Sequence, residues 1–599
     1  MSDGAADRAN VTLGDNSCII IPIADDSKKG VRMARTYWWK DAVIYEIYMR
    51  SFKDSDGDGI GDLGGVIEKL PYLKELGISC IWFTPIYPSP QVDNGYDVAD
   101  YSGISETYGG KEMFLAMLEK AHALGIRVIM DMVLNHSSDE CVWFQEARKS
   151  KDNPYRDYYI WRDPSPEGKE PNNWSNCFHD GGGSAWTYTE ETGQYYFHNY
   201  SYKMPELNWH SAALRQEVYR MMRGWLDLGV DGFRLDVINK ILKPEDFPDS
   251  PDPLDAYGYA PGKRFSLNLP GVEDIIHKIA ENTWLLPQYD AFSMGECGGV
   301  TSQNALRFLK PEKRILDTLY HFEIASRTRE KPSLREYKRI EAGWASLMKE
   351  GVWPIQHLDN HDQPRLVSKF GDDSCEEMRV RSAKCLAMLT HMMPGTPILY
   401  QGEEIGMTNT FFDRIEDYND RYTVGDYAER RKAGMSHEEA LFPIRMASRD
   451  NARTPMQWDG SENAGFTEGT PWIRVNPNYP VINAALDREK PADQSVFRFY
   501  QKLIAMRKEH PAMRVGEFTL VLPEDDHFVI FTRVDRESGE TLLLAANVSG
   551  ETVPCPGVPA LENAPAHCLL SSLGETAESM SSPFGRLYLP WEGIIFALY

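Results

Sequence analysis

Leu228-Gly229-Val230-Asp231-Gly232-Phe233-Arg234-Leu235-Asp236 reads as a helix end, a glycine stop and a short buried strand that carries an arginine and an aspartate to its C-terminal tip. Side chains alternate along a strand, so Arg234 and Asp236 share a face. A guanidinium so placed is expected to hold the carboxylate ionised, as a nucleophile requires. Three other segments end in related chemistry: Asp131-Met132-Val133-Leu134-Asn135-His136, Met294-Gly295-Glu296 and His357-Leu358-Asp359-Asn360-His361-Asp362.

Working outward, apolar runs at 43–49, 79–83, 126–133, 230–236, 291–296, 315–322, 351–358 and 396–400 read as strands. Helical patterns lie between them, beginning with 63–76, which stops at Gly77, and 111–124, which stops at Gly125. Eight strands alternating with helices predict a (β/α)8 TIM barrel of class α/β, whose active site lies at the C-terminal strand ends. All four charged segments fall there. The stretch 135–209, rich in Trp, Tyr, Asn and Gly, is too long for an ordinary loop and predicts a small inserted domain after strand 3. A second insertion at 411–459, with Arg445, Arg449 and Arg453, is expected at the mouth. From 513 the pattern changes to short alternating runs, which predict a C-terminal antiparallel β-sandwich. The expected organisation is an N-terminal extension at 1–36, the barrel at 37–134 and 210–512, the insert at 135–209 and the sandwich at 513–599.

The 599 residues carry a formal net charge of −25, which repels nucleic acid and anionic membrane surfaces and leaves a neutral small molecule as the expected partner. Nine cysteines without a repeated short spacing argue against a disulfide framework and against zinc. The apolar run at 18–22 is too short for a signal peptide or a membrane span. The expectation is a cytoplasmic monomer.

In order and separation, the four charged segments resemble the sequence regions of glycoside hydrolase family 13, the α-amylase superfamily, and Val237-Ile238-Asn239 resembles its oligo-1,6-glucosidase and isomaltase branch. The resemblance implies a retaining, exo-acting α-glucosidase that cleaves α-1,6 bonds of isomaltose, panose and short isomalto-oligosaccharides. It implies Asp236 as nucleophile, Glu296 as acid/base and Asp362 as a third carboxylate that grips sugar hydroxyls. Tips of adjacent strands, roughly 4.8 Å apart, can supply the carboxyl spacing of about 5–5.5 Å that retention needs. By the same resemblance Asp93 and Arg449 pair around the terminal glucose, Tyr96 stacks on it, and His136, Phe178, Arg234, Val237 and His361 line its pocket. Valine after the nucleophile goes with α-1,6 preference in related enzymes, alanine or threonine with α-1,4.

Asp54-Ser55-Asp56-Gly57-Asp58-Gly59-Ile60-Gly61-Asp62 alternates acids and glycines like the first nine residues of an EF-hand loop, but lacks the glutamate at position twelve. The resemblance implies a structural Ca²⁺ on Asp54, Asp56, Asp58, Asp62 and the Ile60 carbonyl. Two departures stand out. Met204-Pro205-Glu206-Leu207-Asn208-Trp209 replaces the Gln-Pro-Asp-Leu-Asn-Trp of related α-1,6-glucosidases, a lost amide expected to alter the acceptor side. Cys297 follows Glu296 directly, a packing residue whose thiol is open to modification. A sucrose isomerase or an α-1,4-preferring α-glucosidase are the rival activities. Sucrose isomerases usually carry threonine where Val237 stands and Arg-Leu-Asp-Arg-Asp near Ser326-Arg327-Thr328-Arg329-Glu330. A catalytically silent family-13 scaffold is the rival of another class, but it would have lost triad members that are present here.

Overall fold

The computed structural model describes residues 37–326, 331–561, 564–574 and 582–599; the expected extension at 1–36 and residues 327–330 lie outside them. Eight parallel strands form the barrel: β1 (Ile44–Ile47), β2 (Cys80–Phe83), β3 (Arg127–Val133), β4 (Gly232–Asp236), β5 (Phe292–Glu296), β6 (Thr318–Tyr320), β7 (Ile355–Gln356) and β8 (Thr396–Tyr400). They hydrogen-bond in the order β6-β5-β4-β3-β2-β1-β8-β7. Nearly every strand residue is buried, because the inward side chains fill the barrel and the outward ones are covered by helices.

The leading stretch folds as its residues require. The helix Ala212–Asp227 ends, Gly229 turns the chain at φ 102, and Gly232 opens β4 at φ 151. A Cβ at Gly232 would come within 2.2 Å of the Phe292 carbonyl oxygen, so only glycine lets β4 lie against β5 there. The strand expected at 351–358 is reduced to Ile355–Gln356, since Pro354 has no N–H to give a ladder. The ladder therefore does not close between β6 and β7. Side chains bridge the seam instead: Thr318 Oγ1 donates to the Trp353 carbonyl at 2.8 Å, and His357 Nε2 meets the His321 carbonyl at 3.0 Å.

Between β3 and β4 a three-stranded antiparallel sheet (Trp161–Arg162, Trp186–Thr189, Gln194–Phe197) packs on an aromatic cluster of Trp174, Trp186 and Phe197. Phe247, which follows β4, completes that cluster. After β8, the helices Arg421–Lys432 and His437–Ala447 lead into Asp450–Arg453 at the rim. At the C-terminus β9 (Glu517–Val521), β10 (Phe528–Val534), β11 (Thr541–Asn547), β12 (Ala566–Ser571) and β13 (Gly593–Leu598) form an antiparallel sheet. Its alternation is plain: Val529, Phe531, Leu542 and Leu544 join the barrel core, while Phe528, Ile530, Leu543 and Phe596 form a second core with Tyr588. Among the described residues no helix is long and apolar enough to cross a membrane.

Candidate active site

The tips of β3, β4 and β5 bring four buried charges together. Arg234 Nη1 reaches both oxygens of Asp131 at 2.9 Å and Asp236 Oδ1 at 2.8 Å, while its Nη2 reaches Glu296 Oε2 at 2.5 Å. The Val237 N–H donates to the same Glu296 oxygen at 3.1 Å. It can do so because Val237 turns into the left-handed region at φ 36, ψ 39. A β-branched residue there costs roughly 1–3 kcal/mol, a strain held by the surrounding structure and placed beside the paired carboxyls.

The expectation that Arg234 alone holds Asp236 ionised does not survive. Burial pushes Asp236 well above the usual carboxylate range; Arg234 opposes this, and Glu296 and Asp131 reinforce it. One guanidinium serves three carboxyls, so it cannot neutralise them all. Burial likewise raises Asp131 to about 6 against the pull of Arg234. Asp236 and Glu296 are near enough to share a hydrogen bond, which is a further upward push on Asp236. Two carboxyls in this relation disfavour each other's charge.

A second network runs beneath. The Tyr96 hydroxyl donates to Asp131 Oδ2 at 3.0 Å and lies 2.8 Å from His361 Nε2, and His361 Nδ1 lies 2.5 Å from Glu46 Oε1. Burial lowers His361 to about 3 and raises Glu46 well above its ordinary range. The imidazole is thus neutral. With the tyrosine proton directed to Asp131, His361 carries its proton on Nε2. The Tyr96 ring lies parallel to His361, with centroids 5.5 Å apart.

Opposite, Arg449 reaches Asp93 at 2.9 Å and Asp362 at 3.4 Å and is braced by Asp420. Arg453 holds Asp362 at 2.6 Å. Asp93, Tyr96, His136, Phe178, Val237 and Arg449 line a cavity of about 310 Å³ with Asp236, Glu296 and Asp362 on its wall. His361 and Arg234 are not on that wall; they lie behind it and act through Tyr96 and the carboxyls. Arg445 turns away to Asp413.

Sequence reasoning missed Glu46, Asp131 and Asp420 as parts of this machinery. The signal for the first two was present: each is a lone acid inside an apolar strand, and such a residue must be paired or protonated. The departure at 204–206 does not reach the pocket. Met204 is core, and Glu206 is fully buried against Lys243 at 2.7 Å. Cys297 is buried as well, and burial pushes its thiol well up, so it packs and does not react.

In the acidic loop the carboxylates of Asp54, Asp56 and Asp58 lie within 4.8 Å of one another. Against burial, the Thr467 hydroxyl and the Gly57, Gly59 and Asp56 N–H groups hold Asp54 below the usual range. Asp58 is raised, first by burial and then by the neighbouring acids. Asp62 turns instead to Ser55 and caps the helix Leu63–Leu76 through the Gly65 N–H at 2.7 Å.

Residues 46–516 match the model of the α-amylase catalytic domain. The chain is 48% identical to an oligo-1,6-glucosidase of Parageobacillus thermoglucosidasius over 524 residues, covering 86% of this chain and 91% of that one. It is 40% identical to a trehalose-6-phosphate hydrolase of Bacillus subtilis strain 168, covering 95% of this chain and 99% of that one. Among solved structures, the trehalulose synthase of Pseudomonas mesoacidophila MX-45 superposes with TM-score 0.86 at 38% identity, covering 94% of this chain and all of that one. With barrel strands, carboxyl cluster and sequence in agreement, the chain belongs to the α-amylase family of glycoside hydrolases.

Proposed function

We propose that this enzyme is a retaining α-glucosidase that removes single glucose units from the non-reducing ends of isomaltose, panose and short isomalto-oligosaccharides by cleaving α-1,6 bonds. The observation that carries this is the Asp236–Arg234–Glu296 cluster beside a pocket that Asp236 and Glu296 line together with the Asp93–Arg449 pair. A cavity of about 310 Å³ with a charged pair in its wall suits the hydroxyls of one terminal sugar.

When a glucoside enters between the two carboxyls, the glycosidic oxygen favours the proton on Glu296, and positive charge developing at the anomeric carbon favours ionised Asp236. Asp236 attacks the anomeric carbon as the bond to the leaving oxygen breaks, and Glu296 gives that oxygen its proton. Glu296 then takes a proton from water, which attacks the same carbon and releases Asp236; two inversions give retention. Asp362, fixed by Arg453, grips ring hydroxyls, and Asp93 with Arg449 recognises the terminal end.

Incubation with isomaltose, panose, maltose and sucrose tests the substrate class directly. Release of glucose from the first two, faster than from maltose, is expected, whereas rearrangement of sucrose into another disaccharide would establish the isomerase alternative. Val237 lines the cavity next to Asp236, and an α-1,6 linkage brings the acceptor in at a different angle from an α-1,4 one. One or two methyl groups discriminate by about 1–3 kcal/mol, so the preference should be tens-fold and not absolute. Val237→Thr and Val237→Ala are expected to narrow the isomaltose-to-maltose ratio of kcat/KM by raising activity on maltose. An unchanged ratio in both variants would remove Val237 as the selector.

We further propose that Asp54, Asp56, Asp58 and the Ile60 carbonyl hold a structural Ca²⁺, with Asp62 turning in when it binds. Burial raises Asp58 and the neighbouring acids add to it, and a divalent cation held among them would offset both. A cation held at a hundred times its Kd would add about 2.7 kcal/mol of stability. Chelator is therefore expected to lower Tm and Ca²⁺ to restore it; an unmoved melting curve would leave an acidic turn. The buried free thiols Cys80, Cys141, Cys297, Cys385 and Cys555 suit a reducing cytoplasm.

A further inference from the structure

The buried Lys243–Glu206 pair stands in no contact with the cavity, yet it ends one residue away from a ring that lines it. Lys243 Nζ lies 2.7 Å from Glu206 and 2.9 Å from Asn135 Oδ1 and also donates to the Lys240 carbonyl at 2.5 Å. Asn135 Nδ2 donates to Glu206 Oε1 at 2.8 Å and lies 3.1 Å from His136 Nδ1. Three segments meet here: the tip of β3, the end of the inserted segment and the loop that follows the nucleophile strand.

The two charges decide which way the Asn135 amide faces. A lysine can only donate and a carboxylate can only accept, so Oδ1 must point to Lys243 and Nδ2 to Glu206. The amide then offers a hydrogen to His136 Nδ1, which must accept it. A neutral imidazole that accepts on Nδ1 carries its proton on Nε2. His136 is neutral, since burial lowers it to about 4. Its Nε2 has no protein hydrogen bond, and the ring lines the cavity.

We infer that Lys243 and Glu206 are positioning residues that, through Asn135, lock His136 in the tautomer whose Nε2–H donates to one hydroxyl of the bound glucosyl unit. Without the pair the amide is free to rotate. His136 would then populate both tautomers, and the pocket would lose a fixed donor while keeping its shape. This inference rests on the α-glucosidase reading above.

The test uses 4-nitrophenyl α-glucosides that are deoxy or deoxyfluoro at positions 2, 3, 4 and 6. Fluorine can accept a hydrogen bond but not donate one, so the fluoro-to-deoxy ratio of kcat/KM at each position reports a protein donor. Comparing that ratio between wild type and Lys243→Met cancels the inductive effect of fluorine. The expected result is a fall of about fivefold at one position, with the other three unchanged. Lys243→Arg, which keeps a donor for Asn135 Oδ1, should restore the wild-type ratio. The Glu206→Gln/Lys243→Met double variant, which leaves no buried charge unpaired, should show the same single-position fall even where Lys243→Met alone folds poorly. Equal losses at all four positions, or no change in any ratio, would reduce the pair to a structural brace and overturn the inference. A wild type that does not turn over 4-nitrophenyl α-glucoside would overturn the α-glucosidase reading itself.

Discussion

Asp236→Asn is expected to lower kcat by about 10⁴-fold or more while leaving the fold intact. The swap keeps the volume and one acceptor for Arg234 Nη1, now at 2.8 Å, but an amide oxygen does not displace a leaving group from an anomeric carbon. Removing one of three carboxyls around a single guanidinium also relieves repulsion, so the variant should be no less stable than the wild type. Circular dichroism and Tm check the second point, and turnover of isomaltose checks the first. Activity within about tenfold of wild type would mean that another group attacks.

Glu296→Gln should separate substrates by their leaving groups. Natural disaccharides leave as poor alkoxides and need the proton, so their kcat/KM should fall by about 10²–10⁴-fold. Aryl glucosides with acidic phenols need no proton, and their glycosylation rate should change far less. The amide oxygen of the variant still accepts from the Val237 N–H, which keeps the strained turn at Val237 in place. Equal losses for isomaltose and an activated aryl glucoside would place the acid elsewhere.

The fold and the placing of Asp236 and Glu296 at strand tips were legible because each rests on local information. Period-two alternation, glycine stops and the position of acids at strand ends can be read from a few neighbouring residues. The Arg234–Asp236 pair was legible as a contact but not as an electrostatic outcome. Its protonation depends on Asp131 and Glu296, whose distances are set by how β3, β4 and β5 stack. Glu46 and Asp420 were hidden for a similar reason, since their partners His361 and Arg449 are far away in the chain. The departure at 204–206 was read as an acceptor-side change because Met204 stands where the resembled enzymes carry an amide. The fold turns Glu206 inward to Lys243, a partner in the loop beyond the nucleophile strand. The open β6–β7 seam followed from Pro354, a residue whose effect on a ladder is plain once its strand is known.

The covalent intermediate is the most direct test of the central claim. The wild-type enzyme would be incubated with 5-fluoro-α-glucosyl fluoride, digested and analysed by mass spectrometry. One glucosyl unit is expected on the peptide that contains Gly232–Asp236, with the sugar on Asp236, and the label should disappear on adding an acceptor sugar. A label on Glu296 or Asp362, or turnover of the reagent without any covalent adduct, would contradict the account.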